Sequence, residues 1–243
     1  MDVIPAVDVQ GGRCVRLRQG EHAQATVYED DPVRAAQRFI DAGATRLHVV
    51  DLDAARGVPT PESERAVGRM VAVAAAAGCA AQVGGGIRTI DAALRRLDAG
   101  VSLVILGSVA ARDLELALAI CIAAQGQALL GLDVRDGVAR VDGWTKDGSS
   151  AAELLGAWRT WPAAGVVYTD TLRDGLLAGP DLDGLRTCRE LYGGPVIASG
   201  GVGSIADITA CAAAGAAGVI VGKALYEGRV DLADALRAVM EPA

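Results

Sequence analysis

The sequence predicts a (β/α)₈ barrel built from two half-barrel repeats, and three observations lead to this fold class. Eight short apolar runs alternate with eight segments of helical periodicity, which favours parallel strands joined by right-handed crossovers. The length of 243 residues is close to the ~250 residues typical of such barrels. The second half of the chain also repeats features of the first. We therefore expect residues 1–243 to form one barrel domain, with an open sheet as the less favoured alternative.

The predicted strands are rich in Val, Ile and Leu, as expected of strands that are buried on both faces. They cover residues 2–9, 46–53, 79–85, 102–108, 128–134, 165–170, 195–201 and 218–223. The predicted helices cover residues 31–43, 61–78, 89–100, 112–124, 150–161, 181–191, 204–215 and 230–240. Helix start and stop signals agree with these bounds, because Asp31 precedes Pro32 and glycines follow at Gly43, Gly78 and Gly100.

The internal repeat is visible in the order of its features. One offset of 115 residues relates Gly107 to Gly222 and residues 84–85 to residues 199–200. Chance similarity between strands rich in Ala and Gly is the alternative, but several pairs occur in the same order. Each half of the barrel should therefore end in the same kind of loops.

Composition and charge exclude several classes of function. The net charge is −7 and the isoelectric point is about 4.9, whereas nucleic acids and anionic membranes require a dense positive surface. No apolar run reaches the ~20 residues of a membrane span, and the N-terminus lacks a signal-peptide pattern. Five cysteines without CxxC spacing indicate reduced, buried thiols, and two histidines are too few for a conventional histidine metal cluster. We expect a cytoplasmic protein with no nucleic-acid, membrane or metal partner.

Glycine clusters follow apolar strands at the strand ends, where a barrel places its active site. Glycine lets backbone N–H groups approach an anion closely, and a helix N-terminus nearby adds positive potential. A tight turn is the alternative interpretation, but the pattern recurs in both halves. We predict two phosphate cradles, and hence a substrate with two phosphates. The cradle residues are Gly84, Gly85, Gly86, Gly107 and Ser108 in the first half, and Ser199, Gly200, Gly201, Gly222 and Lys223 in the second.

Four aspartates lie at strand ends or just beyond them: Asp8, Asp51, Asp133 and Asp174. Asp8 and Asp174 come from opposite halves, so they can face each other across the barrel mouth and divide the work of proton transfer as base and acid. For Asp51 and Asp133 a structural role, such as capping a loop, is an equal alternative.

Three basic residues are further candidates. Arg16 and Arg18 belong to a predicted long loop after the first strand, where they either close over a phosphate or remain solvated. His48 lies inside the apolar run RLHVVD, where it is either a packed core histidine or a residue that lines the lumen near its top.

Nine motifs together carry a resemblance over essentially the whole chain. They are IPAVDVQGGRCVRLRQGE, LHVVDLDAA, VGGGIR, VILGS, LDV, DGW, TD followed by RDG, ASGGV and VIVGKAL. In order and spacing the chain resembles the phosphoribosylformimino-AICAR phosphate isomerases of histidine biosynthesis. The resemblance implies a half-barrel repeat, a substrate with a phosphate at each end, and an Amadori rearrangement of an aldose to a ketose with neither metal nor organic cofactor.

The resemblance also assigns roles to the candidate residues. Asp174 is implied as the general acid that helps to open the ribose ring, and Asp8 as the general base that removes the C2 proton. Asp133 and Thr169 are implied to orient the substrate and His48 to line the site. Trp144, in a mobile fifth loop, is implied to stack on the heterocycle of the substrate. Members of the family are usually monomers, so the resemblance favours a monomer.

Three alternative interpretations of the function remain. The related cyclase usually has IPCLDV in its first strand, where this chain has Ala6 in place of the cysteine. A bifunctional branch of the isomerases, which also acts on phosphoribosyl anthranilate, typically has an arginine two residues before the tryptophan. This chain has Asp142 there, and its negative charge should repel the carboxylate of the anthranilate substrate. Nearby Arg140 is the residue that could take the place of the missing arginine. A barrel that only binds phosphates would not need Asp8 and Asp174.

One position departs from the family pattern. Members usually have Thr after the glycine that follows the implied acid, and this chain has Leu176. The change removes one hydroxyl from the loop that carries Asp174.

Overall fold

The strands close into a barrel, as the computed structural model shows. It describes the backbone of residues 1–18 and 21–240, with the side chains of these ranges except those of residue 18 and residues 21–24. The barrel strands are β1 (Asp2–Gln10), β4 (Arg46–Asp51), β5 (Ala80–Gly84), β6 (Leu103–Leu106), β7 (Ala128–Arg135), β10 (Gly165–Asp170), β11 (Val196–Ser199) and β12 (Gly218–Val221). They pair in parallel in this order, and β1 pairs with β12, which closes the ring. The predicted (β/α)₈ barrel is confirmed.

A helix follows each barrel strand and matches the predicted segment, with α8 ending one residue beyond it. These helices are α1 (Pro32–Asp41), α3 (Pro61–Ala76), α4 (Ile90–Asp98), α6 (Leu114–Ala123), α7 (Ala151–Trp158), α8 (Leu182–Tyr192), α9 (Ile205–Ala213) and α11 (Leu232–Met240). The Asp31 side chain caps α1 by accepting a hydrogen bond from the Val33 N–H, and Thr60 and Ser204 cap α3 and α9 in the same way. Among the described helices, none has the length and apolar character needed to cross a membrane.

Two hairpins on the strand ends differ from the prediction. The segment after the first strand, predicted as a long loop, forms β2 (Arg13–Arg18) and β3 (Glu21–Glu29). It does so because β1 extends past the barrel and residues 8–10 pair antiparallel with residues 13–15 across a turn of two glycines with positive φ. A second hairpin, β8 (Val138–Val141) and β9 (Lys146–Ser150), follows β7. The described part of the chain also forms three short helices: α2 (Leu52–Ala55), α5 (Ser108–Arg112) and α10 (Lys223–Tyr226).

The barrel lumen has its own apolar core, separate from the larger core between strands and helices. It consists of Ile4, Ala6, Ile105, Leu129, Val167, Ile197 and Ile220. Side chains alternate between the two faces of a strand, so the residue two positions further along faces the lumen again. Asp8 therefore stands above Ala6, and Thr169 above Val167. Polar side chains therefore lie above the apolar core of the lumen, at the carboxyl ends of the strands.

Candidate active site

A cavity of about 470 Å³ opens at the carboxyl ends of the barrel strands. The predicted site residues that line it are Asp8, Arg16, His48, Gly84, Gly85, Gly86, Gly107, Ser108, Asp133, Trp144, Thr169, Asp174 and Ser199. A smaller adjoining cavity of about 20 Å³ is lined by the remaining predicted residues, Gly200, Gly201, Gly222 and Lys223, and shares Arg16, Asp174 and Ser199 with the first. The structure therefore brings every predicted site residue to one end of the barrel.

Two glycines of the first cradle, Gly85 and Gly86, could not be replaced by another residue without strain. Gly85 and Gly86 have φ values of 105° and 74°, and a Cβ at Gly85 would overlap the carbonyl oxygen of Asp51. Gly107 precedes α5, and no side chain caps that helix, so its first N–H groups are left for a ligand. The Ser108 hydroxyl accepts a hydrogen bond from the Asp142 N–H at 2.9 Å.

The second cradle repeats this construction. Gly200 has φ of 93°, and a Cβ there would lie 2.7 Å from the carbonyl oxygen of Asp170. Gly222 precedes α10, again without a side-chain cap. The Lys223 ammonium is already engaged, because it donates to the Gly175 carbonyl at 3.1 Å and lies 3.6 Å from the Glu227 carboxylate. The backbone N–H groups at the start of α10 are the better candidates for contact with an anion.

Arg16 links the second cradle to the candidate base. It lies on β2, is only 10% exposed, and its Nη1 is 2.8 Å from Oδ2 of Asp8. A Cβ at Gly222 would overlap its guanidinium group, so Arg16 lies directly against the cradle. Of the two alternatives for Arg16, the solvated surface arginine is therefore excluded. The Arg18 side chain lies outside the described part of the structure.

The fifth loop reaches into the cavity through Trp144. Its indole Nε1 donates to Oδ2 of Asp133 at 2.8 Å, and burial raises the pKa of Asp133 while this bond and one from Thr169 lower it. Asp51, by contrast, has a structural role, because its side chain accepts a hydrogen bond from the Ala54 N–H at 2.9 Å and caps α2.

Comparisons with known proteins agree with this geometry. A family model described as "Histidine biosynthesis protein" matches residues 2–231. A 1-(5-phosphoribosyl)-5-((5-phosphoribosylamino)methylideneamino)imidazole-4-carboxamide isomerase from a Cyanothece species is 45% identical, over 98% of this chain and 93% of the relative. Relatives with the same name from a Picosynechococcus species and from Gloeobacter violaceus are 43% and 44% identical over the same shares. The chain belongs to the phosphoribosylformimino-AICAR phosphate isomerase family.

Within this isomerase family fold, the two opposed carboxyl groups differ in their environment. The pKa of Asp174 is raised to about 6, mainly by burial; the positive charge of Arg16 opposes this shift, and the nearby Asp8, Asp133 and Asp170 add to it. Burial also raises the pKa of Asp8, but its ion pair with Arg16 favours the ionised form. Asp174 is thus suited to hold a proton, and Asp8 to accept one.

Some lining residues were not predicted from the sequence of this isomerase family member. Arg88 and Arg112 line the main cavity, and Arg88 donates to the Ala55 carbonyl at 3.0 Å. The position of Arg88, two residues after the first glycine cluster, is the signal that could have found it. Leu176, the departure from the family pattern, is 37% exposed and lines neither cavity, so the loss of that hydroxyl leaves the cavity wall unchanged.

Proposed function

We propose that the chain converts phosphoribosylformimino-AICAR phosphate to its phosphoribulosyl isomer in histidine biosynthesis. The observation that carries the proposal is the pair of carboxyl groups, Asp8 and Asp174, between two glycine cradles at one barrel mouth. Each cradle offers uncapped helix N–H groups, so a substrate with a phosphate at each end would be held across the pair. The relatives named for this reaction support the same assignment.

The proposed chemistry divides between the two carboxyl groups. Asp174 donates its proton to the ring oxygen of the ribose, which opens the ring to a Schiff base. The positively charged nitrogen then draws electrons from C2, so the Asp8 carboxylate can remove the C2 proton. The proton taken by Asp8 returns to the substrate at C1 of the enaminol, and the C2 hydroxyl gives its proton to the ionised Asp174, so the ketose forms and both carboxyl groups regain their starting states. Asp133 and Thr169 orient the opened sugar, with His48 on the cavity wall.

Steady-state kinetics on two substrates test the proposal. In metal-free buffer the purified protein should turn over the formimino-AICAR ribotide and not phosphoribosyl anthranilate. The Arg140 guanidinium is engaged by the Trp144 carbonyl, with Nη2 at 2.7 Å, and by the Asp147 carboxylate. The Asp142 carboxylate is itself paired with Arg112 and Lys146. No turnover of the ribotide would overturn the assignment, and turnover of both substrates would show that Arg140 leaves its partners.

The expectations of a monomer, of a cytoplasmic location and of catalysis without a cofactor remain predictions. So does the assignment of each cradle to one phosphate.

Trp144→Ala should lower kcat/KM by about tenfold to a hundredfold, the usual contribution of stacking between an aromatic side chain and a base. Trp144→Phe should retain part of this, because it keeps a stacking ring and loses only the bond to Asp133. Trp161→Ala is the matched control, since Trp161 packs near Trp158 away from the cavity. An unchanged kcat/KM for Trp144→Ala would remove the stacking role.

A further inference from the structure

A glutamine lies inside the barrel lumen, in a strand that otherwise carries small or apolar residues. Gln82 is in the middle of β5 and has no solvent exposure. Its neighbours Ala81 and Val83 belong to the outer core between strands and helices, so Gln82 points the other way, into the lumen. A buried amide in this position needs a physical reason.

The glutamine amide bonds one nitrogen of His48. Nε2 of Gln82 lies 2.9 Å from Nδ1 of His48, and the two residues are direct partners in the β4–β5 register. With the amide nitrogen turned toward the ring, as the structure has it, Nδ1 is the acceptor in this bond, because an amide NH₂ group only donates. A neutral imidazole that accepts at Nδ1 carries its proton on Nε2.

The other end of the same amide has no partner. Oε1 of Gln82 is buried and makes no hydrogen bond with the described residues. An unpaired buried carbonyl destabilises the fold, and a methionine would fill similar space without that cost. Stability therefore does not explain a glutamine at this position, whereas the N–H bond that it donates to His48 does.

His48 also faces the main cavity. His48 lines the main cavity together with Asp8 and Gly84. Among the side chains and backbone groups that the structure describes, the one hydrogen bond of the His48 ring is that of Nδ1 with Gln82. Burial, and secondarily the positive charge of Arg16, lower the pKa of His48 to about 3, so the ring is neutral at physiological pH.

We propose that Gln82 is a positioning residue that fixes His48 as the Nε2–H tautomer. His48 then presents one hydrogen-bond donor to an oxygen of the opened sugar phosphate, and it has no lone pair on the cavity side with which to compete for the C2 proton. This role in catalysis rests on the proposed isomerase function, whereas the tautomer itself does not.

The tautomer can be measured without any turnover. The chain has two histidines, His22 and His48, so ¹H–¹⁵N correlation spectra of the two imidazoles can be assigned with a His22→Asn variant. At neutral pH the His48 signals should show a proton on Nε2 and a bare Nδ1. In Gln82→Glu a carboxylate faces Nδ1, so the proton should move to that nitrogen. A wild-type spectrum with the proton on Nδ1 would overturn the proposal.

Kinetics then test whether Gln82 acts through His48. Gln82→Met should lower kcat/KM about tenfold, while its melting temperature stays at or above that of the wild type. In a His48→Ala background the same substitution should change kcat/KM by less than about twofold, because the residue through which Gln82 acts is absent. An equal loss in both backgrounds would refute action through His48. Failure of the isomerase assay in the wild type would instead refute the proposed function and leave the spectra informative.

Discussion

Asp8→Asn is expected to lower kcat about a thousandfold, within the range that a positioned general base contributes. An amide has no basic lone pair at neutral pH, so the C2 proton of the Schiff base has no acceptor. The Arg16 guanidinium loses the negative charge that lies 2.8 Å from it in the wild type, so it can attract an anion more strongly. Binding of a bisphosphorylated ligand, measured by calorimetry, should therefore be retained or strengthened while turnover is lost.

Asp2→Asn is the matched control for this prediction. Asp2 is on the same strand and also pairs with an arginine, Arg46, at 3.2 Å, but it lies at the opposite end of the barrel. Changes at that end affect stability and not chemistry. A kcat within tenfold of the wild type for Asp8→Asn would show that another group is the base. A similar loss in Asp2→Asn would show that the effect comes from the strand.

The sequence predicted the barrel well because its signals are local. Each apolar run and each capped helix is encoded within about a dozen residues, and every predicted strand and helix is present. The two hairpins were missed because their pairing depends on how far β1 and β7 extend beyond the barrel. The polar residues of RCVRLR hide the strand pattern, and the pairing of β2 with β3 is irregular, with register shifts between Cys14 and Val15 and between Arg16 and Arg18.

The site was predicted by residue type and strand-end position, but its pairings were not. Arg16 comes close to Asp8 only because a hairpin folds back onto β1. Gln82 meets His48 only because two parallel strands are in register, although the residues are 34 positions apart in sequence. No local pattern encodes such contacts. The repeat was more informative, because the carbonyls of Asp51 and Asp170 crowd equivalent glycines in the two halves.

Asp174→Asn should also lower kcat about a thousandfold, and it should change the pH profile. A general acid must be protonated, and the pKa of Asp174 is raised to about 6 by burial. The wild-type kcat/KM should therefore decrease as the pH rises through about 6. The same decrease in kcat should occur at higher pH, because two bound phosphates add negative charge beside the carboxyl group and raise its pKa. Asp174→Asn should lose this decrease with pH.

Asp170→Asn is the control, since the Asp170 carboxylate accepts from the Leu172 N–H and pairs with Arg173 without lining either cavity. It should keep the decrease of kcat/KM near pH 6, moved slightly to lower pH, because the charge of Asp170 is the smallest of the contributions that raise the pKa of Asp174. A wild-type profile that is flat between pH 5 and pH 8, as a measured result, would rule out Asp174 as the acid.

The raised pKa of Asp174 also has a consequence for stability. Its ordinary value is 3.8 and its folded value is about 6, so the folded state binds the proton more tightly than the unfolded chain. The protonated carboxyl group therefore adds to the stability of the folded state. This contribution is complete below pH 3.8 and is lost as the pH rises through 6. Asp174→Asn carries no charge and avoids this loss. Its melting temperature relative to the wild type should therefore increase between pH 4 and pH 8, by the equivalent of about 1–2 kcal/mol at this half-buried position. A constant difference would mean that Asp174 titrates near its ordinary pKa. The carboxyl group would then be ionised at neutral pH and unable to act as the acid.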